Sequence, residues 1–248
     1  MFRLSTLDSL LWTLNLMSEA FEKVELVKQL AVFPLPLVLL PHEMLPLHIF
    51  EPRYQEMLKD VELEQNLFGI TFYEPKDSFS DKPEIGSIGC AAEIREAQTM
   101  EDGRSNILTA GVVRYRLLSY IDLGKPYLTA EVEFFEDIDE DEAALTQSAD
   151  EVFELFERVA KAAFDMSGNR GKFPEIQKSD PERLSFIVAA AFSLDDELKY
   201  KLLEMDSTME RFEKLGGILK SAVGAMEDSA VIHKAAQTNG HSTKKIDI

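Results

Sequence analysis

The side chains able to do chemistry are few in this chain, and they are poorly grouped. The four histidines, His42, His48, His233 and His241, lack the paired spacing that brings two imidazoles to one metal ion. His42 and His48 flank a proline-rich run and read as turn or sheet-surface residues. A single cysteine, Cys90, can close no internal disulfide and build no structural zinc cluster. It falls in an alternating strand pattern, where a small buried side chain is expected. Phosphate binding by a P-loop needs a glycine five residues before a Gly-Lys-Ser/Thr triplet, so that backbone amides wrap the phosphates. The Gly-Lys pairs here, Gly124-Lys125 and Gly171-Lys172, have neither feature. No glycine-rich dinucleotide fingerprint follows a predicted strand. Residues 131–142 hold eight carboxylates and no base, but without the turn glycine and ligand spacing of a calcium loop. They read as the solvent face of a strand followed by a charged linker, Asp137 to Glu142. The expectation is no catalytic residue, no cofactor and no metal.

Composition bounds the remaining classes. With 248 residues and 45% hydrophobic side chains, the chain can bury a core suited to one large or two small domains. A formal charge of −19 disfavours nucleic-acid phosphates and anionic membrane surfaces as partners. Arg114 and Arg116 around Tyr115 are the compact basic–aromatic group that an RNA-binding reading would need, and overall charge weighs against it. The stretch Leu10–Met17 is interrupted by polar residues, and Ser18-Glu19-Ala20 makes a poor cleavage site. No run approaches the length of a membrane span. A cytoplasmic setting is expected, consistent with the lone thiol.

The elements that must position any site are clearest at residues 33–54. Four prolines in the first fourteen residues, Pro34, Pro36, Pro41 and Pro46, forbid a single helix there, because each fixes φ and removes a backbone donor. Pro34 and Pro36 suit the start of an edge strand and Pro41 a turn. Leu45 to Phe50 read as a second strand with Pro46 near its beginning. Glu51-Pro52 opens a helix with Tyr54, Met57 and Leu58 on one stripe. Residues 5–30 place Leu7, Leu10, Leu11, Leu14, Met17 and Phe21 at helical spacing.

From 66 to 135 the pattern is that of strands. Leu67–Tyr73 is a buried-strand run, a polar loop covers 74–84, and Gly89–Gln98 alternates up to an Asp102-Gly103 hairpin turn. Ile107–Tyr120 makes one long bent strand or two, with Gly111 at the break. Leu128, Ala130, Val132 and Phe134 share one face of a further strand. From 143 to 224 the chain reads as helical. Helix starts are expected at Ser148/Glu151, Asp180-Pro181, Ser193/Asp196 and Ser207/Glu210, with a loop at 167–178. Beyond Ala225 the apolar period fades.

The opening run, with Phe33-Pro34-Leu35, Leu40-Pro41, Leu45-Pro46-Leu47, Phe50-Glu51 and Arg53-Tyr54, resembles the N-terminal, substrate-recognition domain of the Lon protease family. The likeness continues through Ile85-Gly86-Ser87-Ile88-Gly89 and Thr109–Arg116. It covers residues 31–137 well and 145–222 more loosely. It implies an α+β fold, a PUA-like mixed β pseudobarrel followed by a C-terminal helical bundle subdomain. The expected organisation is an N-terminal amphipathic helix (1–30), a Lon N-terminal-like β domain (31–138), a helical subdomain (139–225) and a disordered tail (226–248). The ATPase module, the glycine-flanked serine of the Ser-Lys peptidase and the zinc ring of Lon-domain ubiquitin ligases have no counterpart in these residues. The resemblance therefore implies a stand-alone, non-catalytic binder of unfolded or extended polypeptide segments. Proline-broken strand edges would pair with the ligand backbone, and apolar side chains would read alternate residues. Phe33, Leu37, Leu39, Met44, Leu47, Phe72 and Tyr73 are the expected contacts, with Met44 adaptable to varied sequences. The alternative is a structural or assembly role, in which the chain self-associates or docks on a separate ATPase or protease.

Overall fold

The computed structural model describes residues 21, 23–74, 82–166 and 178–239, with side chains through Ala225 except at 165 and 166. Residues 1–20 and 22 of the expected 1–30 helix lie outside the described residues, while 23–26 form a turn and Gln29 and Leu30 already belong to a strand; most of the 74–84 and 167–178 loops also lie outside. The chain divides into two compact units. The first joins Met1–Ile138 with Ala189–Asp206, and the second joins Asp139–Val188 with Ser207–Ile248.

The first unit is a mixed sheet. Its strands are β1 (Gln29–Leu35), β2 (Met44–Ile49), β3 (Leu67–Phe72), β4 (Ile88–Thr99), β5 (Ser105–Ile121) and β6 (Leu128–Phe135), with helix α1 (Pro52–Leu63) between β2 and β3. The order is β2-β5-β4-β3-β1-β6, and β5 also pairs with β6. That extra pairing closes β5-β4-β3-β1-β6 into a ring and leaves β2 outside it. The β1–β3 ladder is parallel and the others antiparallel.

Ring closure depends on β5, a single strand that bends twice. Its register slips at Val112 opposite β4 and at Leu118 opposite β6, and such bulges add local twist. Gly111 precedes the first slip because nothing larger fits. A Cβ there would stand 2.1 Å from the Leu40 carbonyl oxygen. Inside the ring, Tyr115 is fully buried over Gly69 and Gly89, where added Cβ atoms would lie 2.4 and 2.5 Å from its phenol. Its hydroxyl meets that of Thr71 at 2.6 Å. Val32, Leu30, Ala91, Val113, Leu117, Ala130 and Val132 complete this core.

β1 differs from expectation. It begins at Gln29 and is interior, flanked by β3 and β6. Pro34 is tolerated because the β6 ladder ends at Val32, so its missing N–H breaks no bond to β6. α1 starts where Glu51-Pro52 predicts and buries Tyr54, Met57, Leu58 and Val61.

Helix α4 (Asp196–Glu204) also belongs to the first unit. Asp196 accepts from the Val38 amide at 3.3 Å, the Lys199 ammonium meets Glu43 at 2.6 Å, and the Tyr200 hydroxyl accepts from the Ile88 amide at 3.1 Å. Arg114, 1% exposed in its side chain, ion-pairs with Asp137 at 2.5 Å and donates to the carbonyls of Leu203 and Met205. The α4 cap is Asp195, which accepts from the Leu198 amide at 2.8 Å, and not Ser193.

The second unit packs α2 (Glu142–Met166), α3 (Pro181–Ala191, whose last residues join the first unit) and α5 (Thr208–Asn239). α2 begins earlier than Ser148. Asp141 caps it by accepting from the Ala144 amide at 2.8 Å, and no breaker interrupts the residues that follow. Asp180 and Ser207 cap the other two as expected, through the amides of Arg183 and Glu210. Val152, Phe156, Leu184, Phe186, Phe212 and Leu215 form the core. Arg211, fully buried there, donates to Ser185 Oγ at 2.9 Å and Thr208 Oγ1 at 3.1 Å beneath the Phe186 ring. α5 runs on to Asn239, past the point where a tail was expected to begin, because Met, Glu, Ala and Lys keep the backbone helical after the apolar period ends. Residues 240–248 lie outside the described part. Among the described residues no helix is long and apolar enough to cross a membrane.

Candidate functional site

β2 is the strand whose outer edge no other described strand covers. The sequence builds it that way. Pro46 cannot serve a two-sided ladder, and the Pro41–His42 turn, with His42 at φ 65, directs the chain back along β5. The turn is held by the His42 amide donating to the Gly111 carbonyl and the Gly111 amide to the Glu43 carbonyl, both at 2.9 Å. Alternation then sorts the side chains. Leu45, Leu47 and Ile49 turn inward, while Met44, Pro46, His48 and Phe50 face solvent. Met44 is 50% exposed and Phe50 60%. The His48 and Phe50 rings stack at 6.0 Å, and His48 Nδ1 lies 2.7 Å from Asn106 Oδ1 on β5. Leu108, opposite Pro46, adds a half-buried neighbour on the same face. The result is an apolar row beside an open strand edge.

The seven residues expected to contact a ligand fall in three places. Phe33 and Leu39 are core, 7% and 2% exposed. The Phe33 ring lies 4.1 Å from that of Tyr54, so these two support the surface from within. Leu37, Phe72 and Tyr73 gather half-buried where β1 and β3 end. There Phe72 lies 5.9 Å from the Tyr200 ring, and the Tyr73 amide donates to the Leu35 carbonyl at 2.8 Å. Met44 and Leu47 share β2 but point to opposite faces. Residue type did not single out Phe50, although it follows Met44, Pro46 and His48 in the same two-residue phase.

Reactive chemistry is muted at these positions. Burial pushes the Cys90 thiol up to about 12, well outside the range of a nucleophilic thiolate. Among the described residues no three His, Cys, Asp or Glu side chains are grouped to hold a metal ion. Of the basic–aromatic group that an RNA reading would need, Arg114 and Tyr115 are buried and Arg116 alone is exposed.

The model of the ATP-dependent protease La (LON) substrate-binding domain matches residues 29–221. The chain belongs to this family. Its Lon relatives include Lon protease of Desulforamulus reducens, 23% identical over 226 residues, which covers 88% of this chain and 27% of the relative. Lon protease 1 of Hydrogenovibrio crunogenus is 25% identical over 221 residues, covering 84% and 25%. The chain thus spans about a quarter of the Lon proteases it matches. Lon N-terminal domains share the fold. The Lon N-terminal domain protein from Xanthomonas campestris superposes with TM-score 0.52 at 21% identity, covering 76% of this chain and 97% of that one. The N-terminal domain of Mycobacterium avium complex Lon protease gives 0.56 at 17%, covering 78% and 98%. The α+β architecture is therefore that of Lon N-terminal domains.

Proposed function

We propose that this chain binds polypeptide without processing it, as a substrate-recognition or adaptor protein, and that the ligand adds as a strand along β2. The observation that carries the reading is the uncovered edge of Met44–Ile49 with Met44 and Phe50 standing half or more exposed beside it. Main-chain hydrogen bonds to such an edge are indifferent to sequence, and alternate ligand side chains fall on the apolar row. Met44 is unbranched and polarisable, which suits varied partners. Membership of a substrate-binding family supports the same class of ligand. A cytoplasmic setting fits the single, buried thiol of Cys90.

The test is anisotropy of a fluorescein-labelled, reduced and carboxymethylated α-lactalbumin titrated with the chain. Met44→Ser with Phe50→Ser is expected to weaken binding roughly ten- to a hundred-fold, since truncating two half-exposed apolar anchors removes about 1.5–3 kcal/mol of burial. Binding unchanged in this variant, with its fold intact by circular dichroism, would refute the β2 reading.

A further inference from the structure

A second surface stands apart from β2. A cleft of about 540 Å³ opens between the C-terminal half of α1, the start of β1 and the 122–127 loop. Leu26 and Leu63, 88% and 85% exposed, are the most exposed large apolar side chains of the described residues, and both line it together with Leu123 at 55%. Leucines this exposed on one concavity mark a contact surface. Its wall also carries an incomplete strand edge. The β1–β3 ladder begins at Val32, so Gln29, Leu30 and Ala31 line the cleft with only β6 beside them.

The rim is acidic on one side. Glu56, Asp60 and Glu64 follow at four-residue spacing along α1 and its C-terminal cap, so they share a face. Asp60 is satisfied internally. It accepts from the Lys125 ammonium at 2.8 Å and from the Tyr127 hydroxyl at 2.7 Å. That hydrogen bond holds Lys125 above its ordinary range, and the charges of Glu56 and Glu64 act in the same direction. With Lys125 engaged, Lys28 is the remaining base on the lining, against Glu64 within the cleft and Glu56 beside it.

We infer that this cleft is a second polypeptide-docking site, selective for an extended segment that carries leucine-sized side chains next to a lysine or arginine. The apolar side chains meet Leu26, Leu63 and Leu123, the base meets Glu56 or Glu64, and the ligand backbone runs beside Gln29–Ala31. This inference rests on the reading of the chain as a polypeptide binder, but not on β2 as the place.

The test uses the full chain and three fluorescein-labelled peptides of one length, in which leucine alternates with lysine, glutamine or glutamate. The lysine peptide is expected to bind tightest. Glu56→Gln with Glu64→Gln should weaken it roughly three- to ten-fold, the scale of two exposed ion pairs, and leave the glutamine peptide unchanged. Leu63→Ser with Leu123→Ser should weaken both. An equal change of net charge in the helical unit, Glu154→Gln with Glu213→Gln, should alter neither. A loss in that control as large as in the Glu56/Glu64 variant, or equal binding of the lysine and glutamine peptides, would overturn the inference. Crosslinks from a photoreactive residue at position 63 into residues 1–20 of the same chain would name a different occupant and overturn it too. The two sites separate cleanly. If the Met44/Phe50 variant loses lactalbumin while the cleft variants bind every peptide as before, β2 stands and the cleft falls. If only the cleft variants lose binding, the cleft stands and β2 falls.

Discussion

Asp137→Asn isolates the most deeply buried charge pair of the β unit. Arg114 and Asp137 expose 1% and 6% of their side chains and meet at 2.5 Å. The substitution keeps shape and removes the countercharge. It leaves a guanidinium in the interior whose named remaining acceptors are the carbonyls of Leu203 and Met205, with the Phe135 ring 4.5 Å below. Breaking a buried pair from one side costs about 3–5 kcal/mol, and the surviving carbonyl bonds favour the lower end. For a domain of this size each kcal/mol moves Tm by roughly 2–4 °C, so a fall of roughly 6–15 °C is expected. Urea denaturation followed by far-ultraviolet circular dichroism gives the matching loss in midpoint at unchanged slope. Arg114→Met combined with Asp137→Leu should recover part of the loss, because an apolar replacement removes both desolvation penalties while taking the Arg114 donor from the Leu203 and Met205 carbonyls. A cost under about 1 kcal/mol for Asp137→Asn, or a double variant no better than the single one, would refute the view that Asp137 compensates a guanidinium charge buried in the interior.

Gly111→Ala should destabilise by about 2 kcal/mol or more, because the clash is with the Leu40 backbone and no side chain can swing away. Thermal melts check it, and a loss below about 0.5 kcal/mol would contradict the close approach. Cys90 should ignore Ellman's reagent at pH 8 in the native chain and release one equivalent in urea, since burial pushes its thiol up to about 12. Rapid native reaction would contradict that burial. Hydrogen bonds from Lys125 and Tyr127 hold the Asp60 carboxyl below its ordinary range. A carboxylate lowered in the folded state stabilises above its unfolded pKa near 3.9, and the effect is lost as pH falls through the folded value. The Asp60 carboxyl carbon in an NMR titration should therefore have its midpoint below the ordinary value of about 3.9, and Asp60→Asn should abolish that part of the acid loss.

What the sequence made legible depended on how local the physics was. Pro34, Pro41, Pro46 and Pro52 act through their own φ and missing N–H, so the strand–turn–strand–helix opening could be read residue by residue. The caps at Asp180 and Ser207 are equally local. Ser148 and Ser193 failed as starts because Asp141 and Asp195, better placed upstream or beside them, took the amides first. Closure of the ring was implied by the family resemblance, as a pseudobarrel, and not by the residue pattern itself. It depends on bulges at Val112 and Leu118, and those are set by which strands β5 meets. The partner of α4 was hidden for the same reason, since nothing in Asp196–Glu204 states that Lys199 will find Glu43. At the candidate site, residue type alone made Phe33 and Leu39 look equivalent to Met44. Only the phase fixed by pairing with β5 separates the outward Met44, His48 and Phe50 from the inward Leu45, Leu47 and Ile49.

Amide hydrogen exchange on the full chain, with and without saturating reduced and carboxymethylated α-lactalbumin, tests polypeptide capture on β2 most directly. The account predicts slowed exchange concentrated in Met44–Ile49, an effect absent from the Met44→Ser, Phe50→Ser variant. Exchange in that strand identical with and without the ligand would contradict it.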